Sequence, residues 1–134
     1  MNPSLQPVAS QQSSCRVLVV EDEFLIRMLL EDMLSDLGHA VTAAAGSVGE
    51  AAELAKTSEF DLAILDVNLD GRDVYPVADI LTERNLPFVF VTGYGGRGLP
   101  EAYRDRPTLQ KPFQLEDLRK TLANVITENC KSHS

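Results

Sequence analysis

The centre of this sequence is the run Leu62-Ala63-Ile64-Leu65-Asp66-Val67-Asn68, in which apolar residues lead up to a single carboxylate. An apolar run of this length is typical of a strand that is buried on both faces of a parallel sheet. Ligands of open parallel sheets bind outside the carboxyl ends of the strands, so Asp66 would lie where chemistry takes place. Asp66 could instead cap the turn or helix that follows the break at residues 69–71, and this run alone leaves both interpretations open.

Composition narrows the class of protein. The 134 residues suffice for one domain with a core, and 44% of them are hydrophobic. The net charge of −8, from 20 acidic and 12 basic residues, argues against a nucleic-acid partner and favours a cation or basic partners. No apolar run approaches the roughly 20 residues of a membrane span, and the first residues lack a signal-peptide pattern. We therefore expect a cytoplasmic protein without membrane insertion.

The two cysteines give no sign of a metal site. Cys15 and Cys130 lie far apart in the sequence, without ligand spacing and without a third or fourth partner. For a cytosolic protein this pattern favours two free, reduced thiols.

Composition also divides the chain into three parts. Residues 1–14 contain two prolines, no charge and little to bury, so we expect a flexible N-terminal leader. Residues 15–130 would form the single domain, and residues 131–134 a short C-terminal tail. Because the chain ends soon after its last predicted helix, we expect no DNA-binding or enzymatic output domain.

Within the domain, strand patterns and helix patterns alternate five times. Strand-like runs lie at 16–20, 40–44, 62–68, 86–91 and 108–110. The first helix begins at Phe24 and ends before Gly38, and its apolar stripe consists of Ile26, Leu29, Leu30, Met33 and Leu37. The fourth helix is weakest, with a turn or two at 100–104. This order predicts an α/β fold in which right-handed crossovers cover both faces of a parallel sheet.

Polar side chains follow four of the predicted strands. They are Glu21 and Asp22, then Asp66, then Thr92 and finally Lys111. Because the carboxyl ends of parallel strands meet at one edge, we expect these side chains to converge. Three crowded carboxylates repel one another unless a cation joins them, and a hard divalent ion such as Mg²⁺ suits a few protein oxygens.

Charge also suggests a role for each residue. The three carboxylates, Lys111 and Mg²⁺ together are near neutral, so the site could hold an acyl phosphate at small electrostatic cost. Phosphoryl-transfer chemistry then makes Asp66 the nucleophile, with Lys111 and the Thr92 hydroxyl contacting phosphoryl oxygens. The metal ligands would be Asp22, Asp66 and the Asn68 backbone carbonyl, with Glu21 acting through water.

Four ordered motifs resemble one protein family. They are Val-Val-Glu-Asp-Glu at 19–23, Ile-Leu-Asp-Val-Asn-Leu at 64–69, Val-Thr-Gly-Tyr-Gly at 91–95 and Lys-Pro-Phe at 111–113. Together they resemble the receiver domain of response regulators (CheY-like) over residues 16 to about 128. The resemblance implies a flavodoxin-like, doubly wound five-stranded parallel sheet of order 2-1-3-4-5, with five helices of which the fourth is short or poorly formed.

A narrower resemblance concerns residues 87–94. They are similar to a stand-alone, single-domain receiver subgroup marked by Phe-Ala-Thr-Gly-Tyr, with Val91 replacing the alanine. Three positions depart from common receiver patterns. Thr108 occupies the place of an aromatic switch residue, which argues against an aromatic relay there. Asp70 replaces a frequent proline, and glycine-rich residues 93–98 replace a firm fourth helix.

The resemblance implies a single-domain response regulator of a two-component phosphorelay. A histidine kinase or histidine phosphotransfer protein would phosphorylate Asp66 with Mg²⁺, and a downstream protein target would receive the signal. We expect no enzyme beyond its own phosphotransfer and dephosphorylation, and no small-molecule substrate beyond acyl phosphate donors. The alternative is a receiver-like interaction module that works without phosphorylation.

Other classes fit the sequence less well. The glycines at 93, 95 and 98 match a dinucleotide fingerprint, but they follow the fourth strand rather than the first. A flavodoxin would place a phosphate beside the three acids at 21–23, where like charge repels it. An aspartyl-phosphate hydrolase needs a second acid two residues after the first and a substrate-binding cap, and the sequence has neither.

The loop from Thr92 to Pro100 is expected to respond to phosphorylation. One bond from Thr92 to a phosphoryl oxygen would order only the first residues, because ordering each glycine is costly. A partner would order the rest by burying Tyr94, Leu99 and Tyr103.

Overall fold

The computed structural model describes residues 14–93, 99–126 and 130. In chain order the strands are β1 (Arg16–Val20), β2 (Ala40–Ala45), β3 (Leu62–Asp66), β4 (Asn68–Leu69), β5 (Arg72–Asp73), β6 (Phe88–Thr92) and β7 (Thr108–Gln110). Five of them form a parallel sheet of order β2-β1-β3-β6-β7, and β4 pairs with β5 in a separate hairpin. Since β6 and β7 are the fourth and fifth strands of this sheet in chain order, the predicted order 2-1-3-4-5 and the predicted doubly wound fold are confirmed.

Four α-helices lie within these described ranges. They are α1 (Phe24–Asp36), α2 (Val48–Thr57), α3 (Tyr75–Glu83) and α4 (Leu115–Ala123). The predicted short fourth helix is a single 3-10 turn at Glu101–Tyr103, so the last helix, which the sequence analysis counted as the fifth, is α4.

Local signals set the helix ends. At the end of α1, Gly38 has a φ of 92°, a backbone conformation that glycine adopts at little cost. At the start of α2, the Ser47 hydroxyl accepts a hydrogen bond from the Glu50 backbone N–H at 3.2 Å. The predicted stripe of α1 is partly wrong, because Leu30 is buried but Leu29 is 41% exposed. Adjacent helical residues point about 100° apart, which turns Leu29 away from the sheet.

The sheet separates two apolar clusters. Alternate residues of β1 and β3 point to opposite faces, so Leu18 and Leu65 join one cluster while Val19 and Ile64 join the other. The first cluster includes residues of α2 and α3, and the second includes residues of α1 and α4. Because both faces are covered, every residue of β3 is buried, including Asp66.

The sequence analysis interpreted residues 69–71 as a break, but the structure forms a hairpin there. In it Asn68 pairs with Asp73 and Leu69 with Arg72. The two connecting residues have positive φ, 52° at Asp70 and 84° at Gly71. Asp-Gly is a favoured sequence for such a two-residue turn, so a local signal for this hairpin is present in the sequence.

The prediction of free thiols is wrong. Cys15 and Cys130 form a disulfide whose Cα atoms lie 4.8 Å apart. The sequence gives no hint of this pairing, because the cysteines are 115 positions apart and meet only when the chain between them folds and returns to the start of β1.

Leu99 and Tyr103 are also not free for a partner. They are 4% and 7% exposed and pack in the first cluster, where Tyr103 contacts the rings of Tyr75, Phe88 and Phe90. The expectation that a partner would bury them is therefore wrong. Tyr94 and the glycines at 95, 96 and 98 lie outside the described residues, so the remaining loop prediction stays a prediction.

In the part of the chain that the structure describes, no helix combines the length and apolarity needed to cross a membrane. The predicted boundaries of leader, domain and tail remain predictions.

Candidate functional site

Sheet register brings the predicted residues to one edge. Val20 of β1 pairs with Leu65 of β3, so Glu21 follows its strand beside Asp66. Asp66 in turn pairs with Val91 of β6. Asp66 ends β3, Glu21 directly follows β1 and Thr92 ends β6, so all three polar residues lie at the carboxyl edge of the sheet, as expected for parallel strands.

The far side of this edge is formed by β6 and β7. Thr92 pairs with Gln110, and the Lys111 backbone N–H donates to the Thr92 carbonyl at 2.9 Å. Thr92 is buried, and Lys111 is half-buried. Both predicted phosphoryl-contacting residues therefore lie on the same edge as Asp66.

Three carboxylates crowd this edge. One oxygen from each of Glu21, Asp22 and Asp66 lies within 4.8 Å of the others. Glu21 and Asp66 are buried, whereas Asp22 is half-buried. Buried like charges at such distances repel strongly, so the cluster favours a cation.

Lys111 supplies a positive charge to this cluster. Its Nζ lies 3.2 Å from Asp66 Oδ2, 3.5 Å from Glu21 Oε1 and 3.6 Å from Glu23 Oε1. Burial lowers the pKa of Lys111, but the carboxylates of Asp66 and Glu21 outweigh it and raise that pKa above its usual value. Lys111 is therefore charged, and one ammonium faces several carboxylates.

Glu21 is the carboxyl in the cluster whose pKa is raised and whose hydrogen bonding is incomplete. Burial raises the pKa of its carboxyl to about 7, and the nearby Asp66 carboxylate acts in the same direction. Its Oε2 accepts a hydrogen bond from the Glu23 backbone N–H at 3.1 Å. Within the described part of the chain, its Oε1 is buried and accepts no hydrogen bond. A buried oxygen without a donor, among other carboxylates, is suited to a metal ion or its water ligands.

The hairpin of β4 and β5 sets the orientation of the Asn68 backbone beside the cluster. The Val74 backbone N–H donates to the Val67 carbonyl at 3.1 Å, whereas the Val67 N–H donates to the Val91 carbonyl of β6 at 3.0 Å. A single bond of this kind flanks a non-hydrogen-bonded pair in an antiparallel ladder, so we infer that the carbonyl of Asn68, opposite Asp73, is not directed at the partner strand. The chain's own residues thus fit a hard divalent cation.

Further contacts hold Asn68 and Asp66 together. The Asn68 backbone N–H donates to Asp66 Oδ1 at 3.1 Å, and the Asn68 side-chain oxygen accepts from the Gly71 N–H at 2.7 Å. The first bond leaves Asp66 Oδ2 facing Lys111. The two oxygens of Asp66 therefore have different surroundings.

All six predicted positions lie at this edge: Glu21, Asp22, Asp66, Asn68, Thr92 and Lys111. Sequence reasoning gave no role to Glu23, which shares the Lys111 ammonium with Asp66 and Glu21. Its signal was present as the third acid of residues 21–23. The hairpin that orients Asn68 was also missed, although the sequence Asp70-Gly71 is typical of a two-residue hairpin turn.

An apolar rim borders the site. Among the residues that the structure describes, the exposed large apolar side chains are Phe24, Leu25, Met28 and Leu29 of α1 and Leu115 of α4. A cavity of about 350 Å³ beside them is lined by Ile26, Leu29, Lys111, Pro112 and Phe113. Since Lys111 lines both this cavity and the acid cluster, the apolar rim and the site are continuous.

The fold and this edge correspond to a known family. Residues 17–123 match the response regulator receiver domain, and the chain belongs to this family. The family acts in two-component signalling, so the resemblance seen in the four motifs is confirmed.

Curated relatives share the domain over part of their length. The chain is 41% identical over 107 residues to the transcriptional regulatory protein PdtaR of Mycobacterium tuberculosis, covering 77% of this chain and 52% of the relative. It is 33% identical over 115 residues to the phyllosphere-induced regulator PhyR of Methylorubrum extorquens, covering 82% and 43%. The chain thus spans about half the length of these two relatives.

Solved structures of related proteins have the same fold as this chain. The solution structure of SdrG from Sphingomonas melonis Fr1 is 42% identical with a TM-score of 0.75, and the match covers 84% of this chain and 96% of SdrG. The receiver domain of PhyR from Erythrobacter litoralis is 34% identical with a TM-score of 0.72, covering 84% and 89%.

Proposed function

We propose that this chain is a single-domain response regulator that accepts a phosphoryl group on Asp66 from a histidine kinase or histidine phosphotransfer protein. The observation that carries the proposal is the Asp66 carboxylate, which ends β3 at 5% exposure with one oxygen 3.2 Å from Lys111 Nζ. An Asp66 oxygen attacks phosphorus, the bond from phosphorus to the donor breaks, and an acyl phosphate forms. Such a donor places the protein in the cytoplasm.

The acid cluster would hold Mg²⁺. The residues that fit are Asp22, Asp66 and the backbone carbonyl of Asn68, with Glu21 acting through a water ligand. When bound, the ion neutralises charge on the cluster and on the phosphoryl oxygens. The remaining chemistry belongs to the protein's own residues, since positioning provides most of the catalysis in phosphoryl transfer.

Lys111 and Thr92 would contact the transferred group. Phosphorylation adds charge to Asp66, and the Lys111 ammonium, which already reaches Asp66 Oδ2, pairs with the new oxygens. The Thr92 hydroxyl, at the end of the neighbouring strand, donates to another oxygen. The protein thereby catalyses its own phosphotransfer and dephosphorylation, and small-molecule acyl phosphates serve as alternative donors.

The apolar rim would receive the donor protein. A phosphohistidine can reach Asp66 only if its protein covers the edge of the sheet, and the exposed side chains of α1 lie on that edge. Phe24 and Leu25 are 62% and 76% exposed, and large exposed apolar groups of this kind often mark protein contacts. Output would also pass through protein contacts, to a downstream target.

The test is phosphorylation of the purified chain with an acyl phosphate and Mg²⁺, followed by intact mass. Wild type should gain one phosphoryl group that mild base removes, and Asp66→Asn should gain none. The matched control is Asp70→Asn, which removes a nearby exposed carboxylate and should behave as wild type. A phosphoryl group that survives mild base, or that appears on Asp66→Asn, would refute the role of Asp66.

The alternative, an interaction module that works without phosphorylation, is tested by a pull-down. Wild type and Asp66→Asn are compared in the presence of the donor. Capture of the same partners by both proteins would support the alternative, whereas partners lost from Asp66→Asn would support the regulator.

A further inference from the structure

The disulfide lies away from the acid cluster and has no part in the proposed phosphoryl transfer. Cys15 directly precedes β1, whereas Glu21 follows the other end of that strand. Cys130 comes after the last helix, α4, which ends at Ala123. The bond therefore fastens the end of the chain to the opposite edge of the sheet, and both residues are buried in the second cluster.

One half of the disulfide is firmly held by the sheet. The Cys15 backbone N–H donates to Nδ1 of His39 at 3.0 Å, and its carbonyl accepts from the Ala40 N–H at 3.0 Å. The adjoining strand β1 is paired on both sides, with β2 and β3. Cleavage of the sulfur–sulfur bond therefore leaves Cys15 in place.

The other half is held more locally. The backbone N–H groups of Asn124, Val125 and Ile126 donate to the carbonyls of Thr121 and Leu122, which belong to α4 itself. These bonds continue the helix and do not reach a strand, although the Val125 side chain is 6% exposed and packs in the second cluster, with Ile126 against it. Without the disulfide, residues 124–126 can separate from β1 by giving up this apolar packing, without breaking any strand pairing.

A cavity lies beside this segment. It measures about 410 Å³ and is lined by residues from the end of α1 and the end of α4: Asp36, Leu37, His39, Arg119, Leu122, Ala123 and Ile126. His39 both lines the cavity and accepts the Cys15 hydrogen bond. Movement of the segment that carries Ile126 therefore changes the size and access of the cavity.

We propose that Cys15 and Cys130 form a reversible thiol–disulfide site, which closes the end of α4 against β1 when oxidised and opens the adjoining cavity when reduced. In the cytoplasm, where the proposed function places the chain, thiol systems reduce disulfides, so a bond that persists only under oxidation reports redox state. This last step rests on the proposed function. The redox chemistry of the purified protein does not.

Reduction proceeds by thiol–disulfide exchange with a dithiol such as dithiothreitol or a thioredoxin-type protein. One dithiol sulfur attacks a protein sulfur and forms a mixed disulfide, which releases the other cysteine as a thiol. The second dithiol sulfur then attacks the first dithiol sulfur, which closes the oxidised dithiol and releases the remaining cysteine as a thiol. Two electrons and two protons pass from the dithiol to the protein, which leaves thiols at Cys15 and Cys130. Because both residues are buried, the attack follows local opening around Cys130 and residues 124–126.

The experiment compares oxidised and reduced protein under native conditions, without denaturant. The protein is equilibrated with glutathione disulfide or with dithiothreitol, free thiols are counted by alkylation and mass, and hydrogen exchange is measured on both forms. We expect no free thiols in the oxidised monomer and two after dithiothreitol. Exchange at 124–126 should rise roughly 30-fold or more on reduction, the equilibrium equivalent of a typical crosslink, while β1 stays protected.

Cys130→Ala provides the matched control, because it removes the cysteine beside the segment that separates and keeps Cys15, which the sheet holds in place. Without reductant it should show the exchange pattern of the reduced wild type. Two free thiols in glutathione disulfide, or a disulfide between two chains, would refute the site. So would reduction only in denaturant, or loss of the far-ultraviolet circular dichroism of the folded domain on reduction. Phosphorylation by an acyl phosphate, measured in parallel, shows separately whether the proposed function fails.

Discussion

Asp61 directly precedes strand β3 and Asp66 ends it, and each is 5% exposed, yet their surroundings differ completely. Asp61 Oδ2 accepts from the Arg16 backbone N–H at 2.7 Å and from its Nε at 3.3 Å, while Oδ1 accepts from an Arg16 terminal nitrogen at 3.0 Å. One residue thus matches both oxygens of Asp61 with a cation and a backbone donor.

At Asp66, carboxylates outnumber the cations available to pair with them. Its cation, Lys111, is shared with Glu21 and Glu23, and a third acid, Asp22, lies in the same cluster. Burial is therefore a poor guide to function, since it is equal at both ends of β3. The excess of negative charge over available donors distinguishes a reactive site from a structural ion pair.

The largest expected effect is the pH response of the metal-free acid site, through Glu21. Burial raises the pKa of Glu21 from 4.5 to about 7, so between these values the folded protein holds a proton that the unfolded chain releases. This contribution to the free energy of unfolding is complete below about pH 4.5 and is lost as pH rises through about 7, a change on the order of 3 kcal/mol. Urea denaturation without Mg²⁺ at a series of pH values measures it.

The control for this prediction is Glu21→Gln, which cannot titrate. Burial lowers the pKa of His39, so that residue changes stability in the opposite direction, with a contribution lost as pH falls. Only the difference between wild type and Glu21→Gln isolates Glu21. A difference that does not vary with pH would show that the Glu21 carboxyl is not perturbed.

Mg²⁺ should act on one end of β3 and not on the other. At 100 times its dissociation constant, an ion that binds only the folded state adds about 2.7 kcal/mol to the free energy of unfolding. We expect this gain in wild type and in Asp61→Ala, and a much smaller one in Asp66→Ala. Thermal melts with and without millimolar Mg²⁺ provide the measurement. An unchanged wild-type melt would contradict the interpretation of the acid cluster.

The same two variants should differ in stability without metal. Asp61→Ala leaves the Arg16 backbone N–H without its acceptor, which costs about 1–3 kcal/mol. Asp66→Ala loses the bond from the Asn68 N–H but also removes a repelling carboxylate, so its net change should be smaller. Urea midpoints in metal-free buffer decide the matter, and equal losses in the two variants would remove the distinction drawn between them.

The smallest effect is expected at Glu23. Its carboxylate lies 3.6 Å from Lys111 Nζ but is 65% exposed, and exposed ion pairs contribute about 0–1 kcal/mol. Glu23→Gln should therefore unfold within about 1 kcal/mol of wild type and keep its Mg²⁺ response. Loss of that response would make Glu23 a fourth acid of the metal site.

Much of this arrangement could be predicted from the sequence, because local patterns encode it. Apolar runs that end on polar residues specified the parallel strands, and strand parallelism brought Asp66, Thr92 and Lys111 to one edge. The helical period specified α1, although it could not show that Leu29 faces solvent.

The missed features depend on pairings between distant residues. Arg16 meets Asp61 only when β1 and β3 are neighbours, and Cys15 meets Cys130 only when the whole domain has folded. Leu99 and Tyr103 were placed at a partner surface because a glycine-rich stretch gives no local sign of packing. Tyr103 is buried against rings on α3 and β6, which are distant in sequence, and Leu99 joins the same apolar cluster.

The hairpin of β4 and β5 also affects which changes the chain can tolerate. Its Asp70-Gly71 turn fixes the register in which the Asn68 carbonyl faces away from Asp73. A ligand atom from the main chain is the same whichever side chain stands at that position. Deletion of one turn residue, however, would reverse the alternation of the ladder and point that carbonyl at the partner strand. The proposed metal site is therefore more tolerant of substitution at position 68 than of a change in loop length.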